Sequence, residues 1–89
     1  MLEITEIHYT HDFKKAYQKL PKNIQKLVDK KDALFRKNPF YLTLNTHKLK
    51  GPLQGLWSFS VNFSYRILFE FLNKNSAIFY DVGTHEIYE

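Results

Sequence analysis

The stretch WSFSVNFSYRILFEF, residues 57–71, decides the fold because apolar and polar side chains alternate along most of it. Successive side chains of a β-strand point to opposite faces of a sheet, so this alternation predicts two strands that share one aromatic face. The residues predicted for that face are Trp57, Phe59, Val61, Phe63, Tyr65, Ile67, Phe69 and Phe71. The opposite face is predicted to be small and polar, with Ser58, Ser60, Asn62, Arg66 and Glu70.

The residues on either side of this stretch extend the pattern. Asn73-Lys74-Asn75 predicts a hairpin turn, and residues 76–82 predict a third strand after it. Residues 38–55 carry Asn, Gly or Pro at six positions and are predicted to be irregular. A short strand is predicted within this region, at residues 47–50.

The first half of the chain predicts a strand and two helices. Residues 2–9 alternate as a short strand does, and apolar residues spaced three and four apart predict helices at about 11–19 and 22–37. Thr10 or Asp12 can cap the first helix, because a side-chain oxygen accepts a backbone N–H that has no partner within the helix.

These elements together predict an α+β fold. Pro21 interrupts the helical pattern and makes the two helices a hairpin, since proline cannot donate to a continuing helix. The predicted order is β-α-α-β-β-β, with a small antiparallel sheet packed against the N-terminal helical hairpin. The length of 89 residues predicts a single domain, residues 1–89.

The composition excludes several classes of site. The chain has no cysteine, which excludes disulfides, thiolate metal sites and a cysteine nucleophile. It has no apolar run near the roughly 20 residues of a membrane span and no signal peptide, so no membrane partner and a cytoplasmic location are expected. No spacing of His, Asp and Glu matches a metal site, and we predict neither a metal nor a cofactor.

The charge balance favours a polyanionic partner. Lys and Arg number 13 against nine Asp and Glu, which gives a formal net charge of +4. Most of these cations fall in the predicted helices. There they are explained most simply as a solvated face, although they could also contact ribosomal RNA phosphates without sequence preference.

Two histidines are candidate proton carriers. His47 lies in the irregular region and His85 follows the third strand, and an imidazole can accept or donate a proton near neutral pH. Cleavage of RNA without a metal needs such groups together with cations that stabilise the phosphate. Taken alone, each of these histidines is explained more simply as a residue without a catalytic role, as we expect for His8 and His11.

The candidate phosphate ligands are an arginine and two lysines. Arg66 interrupts an otherwise apolar strand, and its guanidinium offers a planar fork for phosphate. The alternative is an ordinary surface arginine that pairs with Glu70 on the same face. Lys48 and Lys50 add positive charge beside His47 and are predicted to bind substrate.

The chain also resembles a known family over nearly its whole length. It is similar to the RelE/ParE toxin superfamily, and within it to the ribosome-dependent mRNA interferases of the YafQ and YoeB type. The resemblance rests on the order and spacing of Leu20-Pro21, Asn38-Pro39, His47-Lys48-Leu49-Lys50-Gly51, Gly55-Leu56-Trp57-Ser58, Tyr65-Arg66-Ile67-Leu68-Phe69 and Gly83-Thr84-His85.

The resemblance implies a toxin of a type II toxin–antitoxin system. Such toxins enter the ribosomal A site and cut mRNA by attack of a 2′-hydroxyl, and a cognate antitoxin neutralises them. By position, His47 matches the general base, Arg66 the residue that stabilises the transition state and His85 the proton donor. Lys50 matches a phosphate-binding lysine, and Tyr88 falls near the terminal aromatic residue that orients the substrate.

One departure from the family pattern leaves alternatives open. The strand after Trp57 carries no charge, and Ser60 and Ser64 stand where YafQ-like relatives have His and Asp. The change could mean weaker cleavage or another codon preference. It also leaves open a binding protein on the same fold, either a gyrase-poisoning toxin of the ParE type or an inactive homologue kept for its antitoxin contact.

Overall fold

The structure is a computed structural model that describes residues 3–84 and residue 87. The described chain contains two helices, five strands and two short 3-10 helices. In chain order they are β1 (Glu6–Tyr9), α1 (His11–Gln18), α2 (Lys22–Lys37), a 3-10 helix (Leu42–Leu44), β2 (His47–Lys48), a 3-10 helix (Gly51–Leu53), β3 (Trp57–Ser60), β4 (Arg66–Asn73) and β5 (Ser76–Gly83).

The five strands form one sheet in the order β1-β5-β4-β3-β2. The α+β prediction is confirmed, and so is the position of the helices between the first strand and the others. The prediction of an antiparallel sheet holds for β2 to β5 but not for β1, which pairs with β5 in parallel. Parallel neighbours need a long crossover, and here the helices and the remaining strands supply it.

Local chemistry sets the helix boundaries. Thr10 is the cap of α1, because its side-chain oxygen accepts the backbone N–H of Phe13 at 3.0 Å. Pro21 occupies the cap position of α2, where the N–H that proline lacks is not needed. In the described part of the chain, neither helix has the length and apolar character that crossing a bilayer requires.

An aromatic core joins the helices to one face of the sheet. The ring of Phe35 on α2 is fully buried, with ring centroids of Phe59, Phe69 and Phe79 at 4.9, 5.0 and 5.3 Å. Burying a ring of this size contributes about 1.5–3 kcal/mol relative to leaving it exposed. The predicted aromatic row therefore faces the helices, and the polar row of the sheet lies on the opposite side.

Candidate active site

Arg66 begins β4 on the face of the sheet that the helices do not cover. It pairs directly with Ser60 on β3, and its half-buried side chain is held by two oxygens. Nη1 donates to Ser60 Oγ at 2.8 Å and to the backbone oxygen of Asn62 at 3.1 Å. Both acceptors are neutral, so they orient the guanidinium without cancelling its charge.

No carboxylate pairs with Arg66 among the described residues. The ion pairs in residues 3–84 and 87 join Glu6 to His8 and Asp32 to Arg36. The Arg66–Glu70 pair, which the sequence left open as an alternative, is not formed. Glu70 instead accepts a hydrogen bond from the Tyr80 hydroxyl at 2.7 Å.

The turn before Arg66 differs from the sequence prediction. The alternation predicted a strand from Trp57 through Ser64, whereas β3 ends at Ser60 and the next four residues bend. Asn62 Oδ1 accepts the backbone N–H groups of Ser64 at 2.9 Å and Tyr65 at 2.8 Å. This side-chain cap offers the backbone an alternative to strand pairing.

The early end of β3 moves Phe63 out of the aromatic row. The prediction placed its ring against the helices with Phe59 and Val61, which are buried. That prediction is wrong for Phe63, whose side chain is 94% exposed.

His47 lies on the same face of the sheet as Arg66. It forms β2 with Lys48 and pairs with Ser58 on β3, two residues from Ser60. Opposed residues of antiparallel strands share a face, as do residues two apart on one strand. Because β3 separates β2 from β4 and the two residues are offset by two positions along the strands, the backbones of His47 and Arg66 are about 12 Å apart.

The imidazole of His47 is exposed and oriented by one contact. Its Nδ1 lies 2.9 Å from the backbone oxygen of Asn45. A carbonyl oxygen can only accept, so Nδ1 carries the proton of this contact and Nε2 is the acceptor of the neutral ring. Asn45 has a left-handed backbone (φ 50°), a conformation that asparagine tolerates better than most residues.

The two predicted lysine ligands lie at the same edge of the sheet. Lys48 pairs with Trp57, and its Nζ lies 5.6 Å from the centre of the indole ring. This contact directs the ammonium group toward the aromatic side of the sheet, away from Arg66. Lys50 is exposed, and together with Lys48, Gln54 and Gly55 it lines a groove.

The C-terminal residues of the predicted site are only partly described. Gly83 pairs with Arg66, and a Cβ added there would lie 2.7 Å from Cγ2 of Ile87. A glycine therefore makes room for Ile87 beside Arg66. His85 and Tyr88, predicted as proton donor and substrate ligand, lie outside the described residues.

Sequence reasoning missed a carboxyl group on this face. Asp81 pairs with Leu68, two positions from the Arg66–Gly83 pair on the same strands, so it lies on the face of Arg66. Burial raises the pKa of its carboxyl above the usual value. No pattern around Asp81 marked it, and among the described residues no group of three or more His, Asp or Glu could hold a metal ion.

Comparisons with known proteins agree on the fold. No family model and no curated protein matches the chain. A YoeB/ParE toxin from Agrobacterium tumefaciens superposes with a TM-score of 0.76 at 15% identity, over 91% of this chain and 99% of that chain. A chain of the toxin-antitoxin complex RelBE2 from Mycobacterium tuberculosis gives 0.75 at 20% identity, over 90% and 96%.

A mutant of YafQ from E. coli gives a TM-score of 0.73 at 21% identity, over 92% of this chain and 94% of that one. These matches span nearly the full length of both chains, although few residues are identical. The resemblance to the RelE/ParE superfamily that the sequence predicted is thus confirmed for the fold, and the chain has the architecture of the YoeB, YafQ and RelE toxins.

Proposed function

We propose that this protein is the toxin of a type II toxin–antitoxin system and cleaves mRNA on the ribosome. The observation that carries the proposal is the state of Arg66, a half-buried guanidinium that neutral oxygens orient and that no described carboxylate neutralises. It lies on one face with His47, in the fold of several toxins solved with their antitoxins. Such a cation fits a phosphate.

The proposed reaction needs no metal. The 2′-oxygen of a ribose attacks the adjacent phosphorus, and the bond from phosphorus to the 5′-oxygen breaks, which leaves a 2′,3′-cyclic phosphate and a 5′-hydroxyl. His47 takes the 2′-hydroxyl proton through Nε2, and His85 gives a proton to the departing 5′-oxygen. Arg66 donates to the phosphate oxygens, where negative charge grows in the transition state.

The remaining predicted residues bind the substrate. Lys50, and Lys48 from the aromatic side of the same edge, provide positive charge for phosphates beyond the reacting one, and Tyr88 orients a nucleotide. The partners we propose are mRNA in the ribosomal A site and a cognate antitoxin, in the cytoplasm. The second partner is supported by toxins of the same fold that were solved in complex with their antitoxins.

A comparison of the two arginines of the chain tests this proposal. The parent should arrest growth when expressed without antitoxin, and mapping of mRNA 5′ ends should show cuts at fixed positions within codons. We expect Arg66→Ala and Arg66→Lys to lower cleavage about 10²- to 10³-fold, because lysine keeps the charge but loses the fork. Arg36→Lys is the matched control, since Arg36 already pairs with Asp32, and it should cleave like the parent.

Three results would contradict the proposal. If both Arg66 variants cut mRNA as fast as the parent, the site is wrong. If the parent damages DNA and leaves mRNA intact, a gyrase-poisoning role replaces the nuclease. Intact mRNA with normal growth would instead indicate an inactive homologue that binds only its antitoxin.

A further inference from the structure

Phe63 is a large apolar side chain that the fold does not use. It is 94% exposed at the middle of the turn between β3 and β4, although the two preceding apolar residues of the pattern, Phe59 and Val61, are buried. Burial of such a ring would contribute about 1.5–3 kcal/mol, and at this position that contribution is not made. Turns are usually formed by small or polar residues such as its neighbours Asn62 and Ser64.

The turn that carries Phe63 is held on both sides. Val61 donates its backbone N–H to the Tyr65 oxygen at 2.9 Å, and Asn62 Oδ1 accepts from the N–H groups of Ser64 and Tyr65. The exposed ring is therefore attached to a backbone whose conformation is fixed by hydrogen bonds.

The same turn is joined directly to the proposed phosphate ligand. Nη1 of Arg66 donates to the backbone oxygen of Asn62, which belongs to the peptide group that joins Asn62 to Phe63. The guanidinium and the backbone of Phe63 are thus fixed relative to each other through one peptide group. An anion ligand and an exposed aromatic residue thus share one turn, and proteins hold single-stranded nucleic acid with such a pair, the cation on the phosphate and the ring on the base.

We propose that Phe63 is a base-stacking residue that positions the RNA substrate on Arg66. While the guanidinium holds the reacting phosphate, the phenyl ring stacks on the base of a nucleotide next to it. This inference rests on the proposed function. Stacking of this kind accepts any base, since every base has a π-face, so Phe63 contributes affinity and orientation without sequence preference.

Binding to a substrate that cannot react provides the test. The probe is a programmed ribosome whose mRNA carries a 2′-O-methyl group at the nucleotide that the parent cleaves, so affinity is measured without cleavage. We expect Phe63→Ala to bind about tenfold more weakly than the parent. Phe63→Leu should be weakened similarly because it keeps an apolar side chain without a planar ring, whereas Phe63→Trp should bind at least as well as the parent.

Leu42→Ala is the matched control. Leu42 is 91% exposed on a 3-10 helix, so the substitution removes an equally exposed apolar group elsewhere and should leave the affinity unchanged. All of these variants change exposed side chains, so their thermal unfolding should match that of the parent.

A double-mutant cycle identifies the group on which the ring acts. Abasic nucleotides are placed one at a time on either side of the methylated position. At one position the parent should lose about tenfold in affinity and Phe63→Ala should lose nothing further, because the stacking partner is already absent. Losses that add at every position would overturn the proposal.

The outcomes separate this inference from the proposed function. If the parent binds and cleaves but Phe63→Ala matches it in affinity, the inference is wrong and the nuclease stands. If Phe63→Ala weakens only antitoxin binding, the ring belongs to the protein interface and the inference is again wrong. A parent that neither binds programmed ribosomes nor cuts mRNA overturns both.

Discussion

The two arginines of the chain lie in opposite electrostatic settings. Arg36, on the last turn of α2, donates from Nε to Asp32 at 2.8 Å and from Nη2 to the Tyr9 hydroxyl at 3.1 Å. Arg66, across the sheet, donates to a serine hydroxyl and a backbone carbonyl. One guanidinium is neutralised by a carboxylate, whereas the contacts of the other within residues 3–84 and 87 only position it.

The difference assigns a role to each arginine. A cation paired with a carboxylate has its field largely cancelled at a distance, whereas a cation held by neutral dipoles keeps its attraction for an anion. Arg36 therefore links the first strand to the second helix, whereas the contacts of Arg66 within the described residues support the phosphate-binding role that we propose for it. The sequence predicts that Arg36 lies on a helix and Arg66 on a strand. These positions alone do not indicate which of the two pairs with a carboxylate.

Among changes to the surroundings of the two arginines, the largest expected effect comes from giving Arg66 the environment of Arg36. Ser60→Asp places a carboxylate next to the guanidinium, and Ser60→Asn introduces a neutral side chain of similar size. We expect Ser60→Asp to lower mRNA cleavage about 100-fold, as loss of one transition-state donor does, while Ser60→Asn lowers it less than tenfold. Cleavage is measured on programmed ribosomes. Equal effects of the two variants would show that crowding, not charge, is responsible.

Much of the fold could be predicted from local patterns. Alternation predicts the correct face for the side chains of residues 66–71 in β4, and helical spacing with Thr10 and Pro21 predicts both helices to within a residue or two. These features depend on neighbours in the chain. The partner of β1 does not, because parallel pairing with β5 joins residues about 70 positions apart, and no local pattern encodes it.

The site was harder to predict for the same reason. Sequence proximity grouped Lys48 with His47, but adjacent strand residues point to opposite faces, and Lys48 lies over Trp57. Alternation places Phe63 in the core. It does not take into account the side chain of Asn62, whose oxygen accepts backbone hydrogen bonds and forms the turn instead. The acceptors of Arg66 lie four and six residues away, across a turn.

A second test removes the carboxylate that distinguishes Arg36. Asp32 is largely buried and accepts from both Arg36 and the Tyr9 hydroxyl. We expect Asp32→Asn to lower the free energy of unfolding in urea by about 1–2 kcal/mol, because hydrogen bonds to a charged group are stronger than average but this cluster is partly exposed to solvent. Cleavage by the folded variant should stay at the parent level.

Asp29→Asn is the control for Asp32→Asn. Asp29 is exposed and accepts one hydrogen bond, from Tyr17 at 2.8 Å, so its substitution should cost less than about 0.5 kcal/mol. If the two variants were equally stable, the cluster around Arg36 would contribute no more than an ordinary surface contact. The structural role that we assign to Arg36 would then be wrong.

The smallest expected effect is a pH dependence on the Arg36 side of the sheet. Burial, with the hydrogen bond to Asp32, raises the pKa of Tyr9 from 10.0 to about 12, although Arg36 opposes the rise. The unfolded chain ionises this phenol near pH 10, so its contribution to stability is complete below pH 10 and is lost as the pH rises through 12. Between these limits the free energy of unfolding should fall by about 1 kcal/mol more in the parent than in Tyr9→Phe, which has no phenol to ionise, after allowance for partial exposure.

Urea unfolding at several pH values measures the difference in this free energy between parent and variant. The lysines are common to both proteins, so their ionisation cancels in the difference. Parallel pH profiles would mean that Arg36 lowers the pKa of the Tyr9 phenol as much as burial and Asp32 raise it. The pKa would then be unchanged by folding, despite the hydrogen bonds of the cluster.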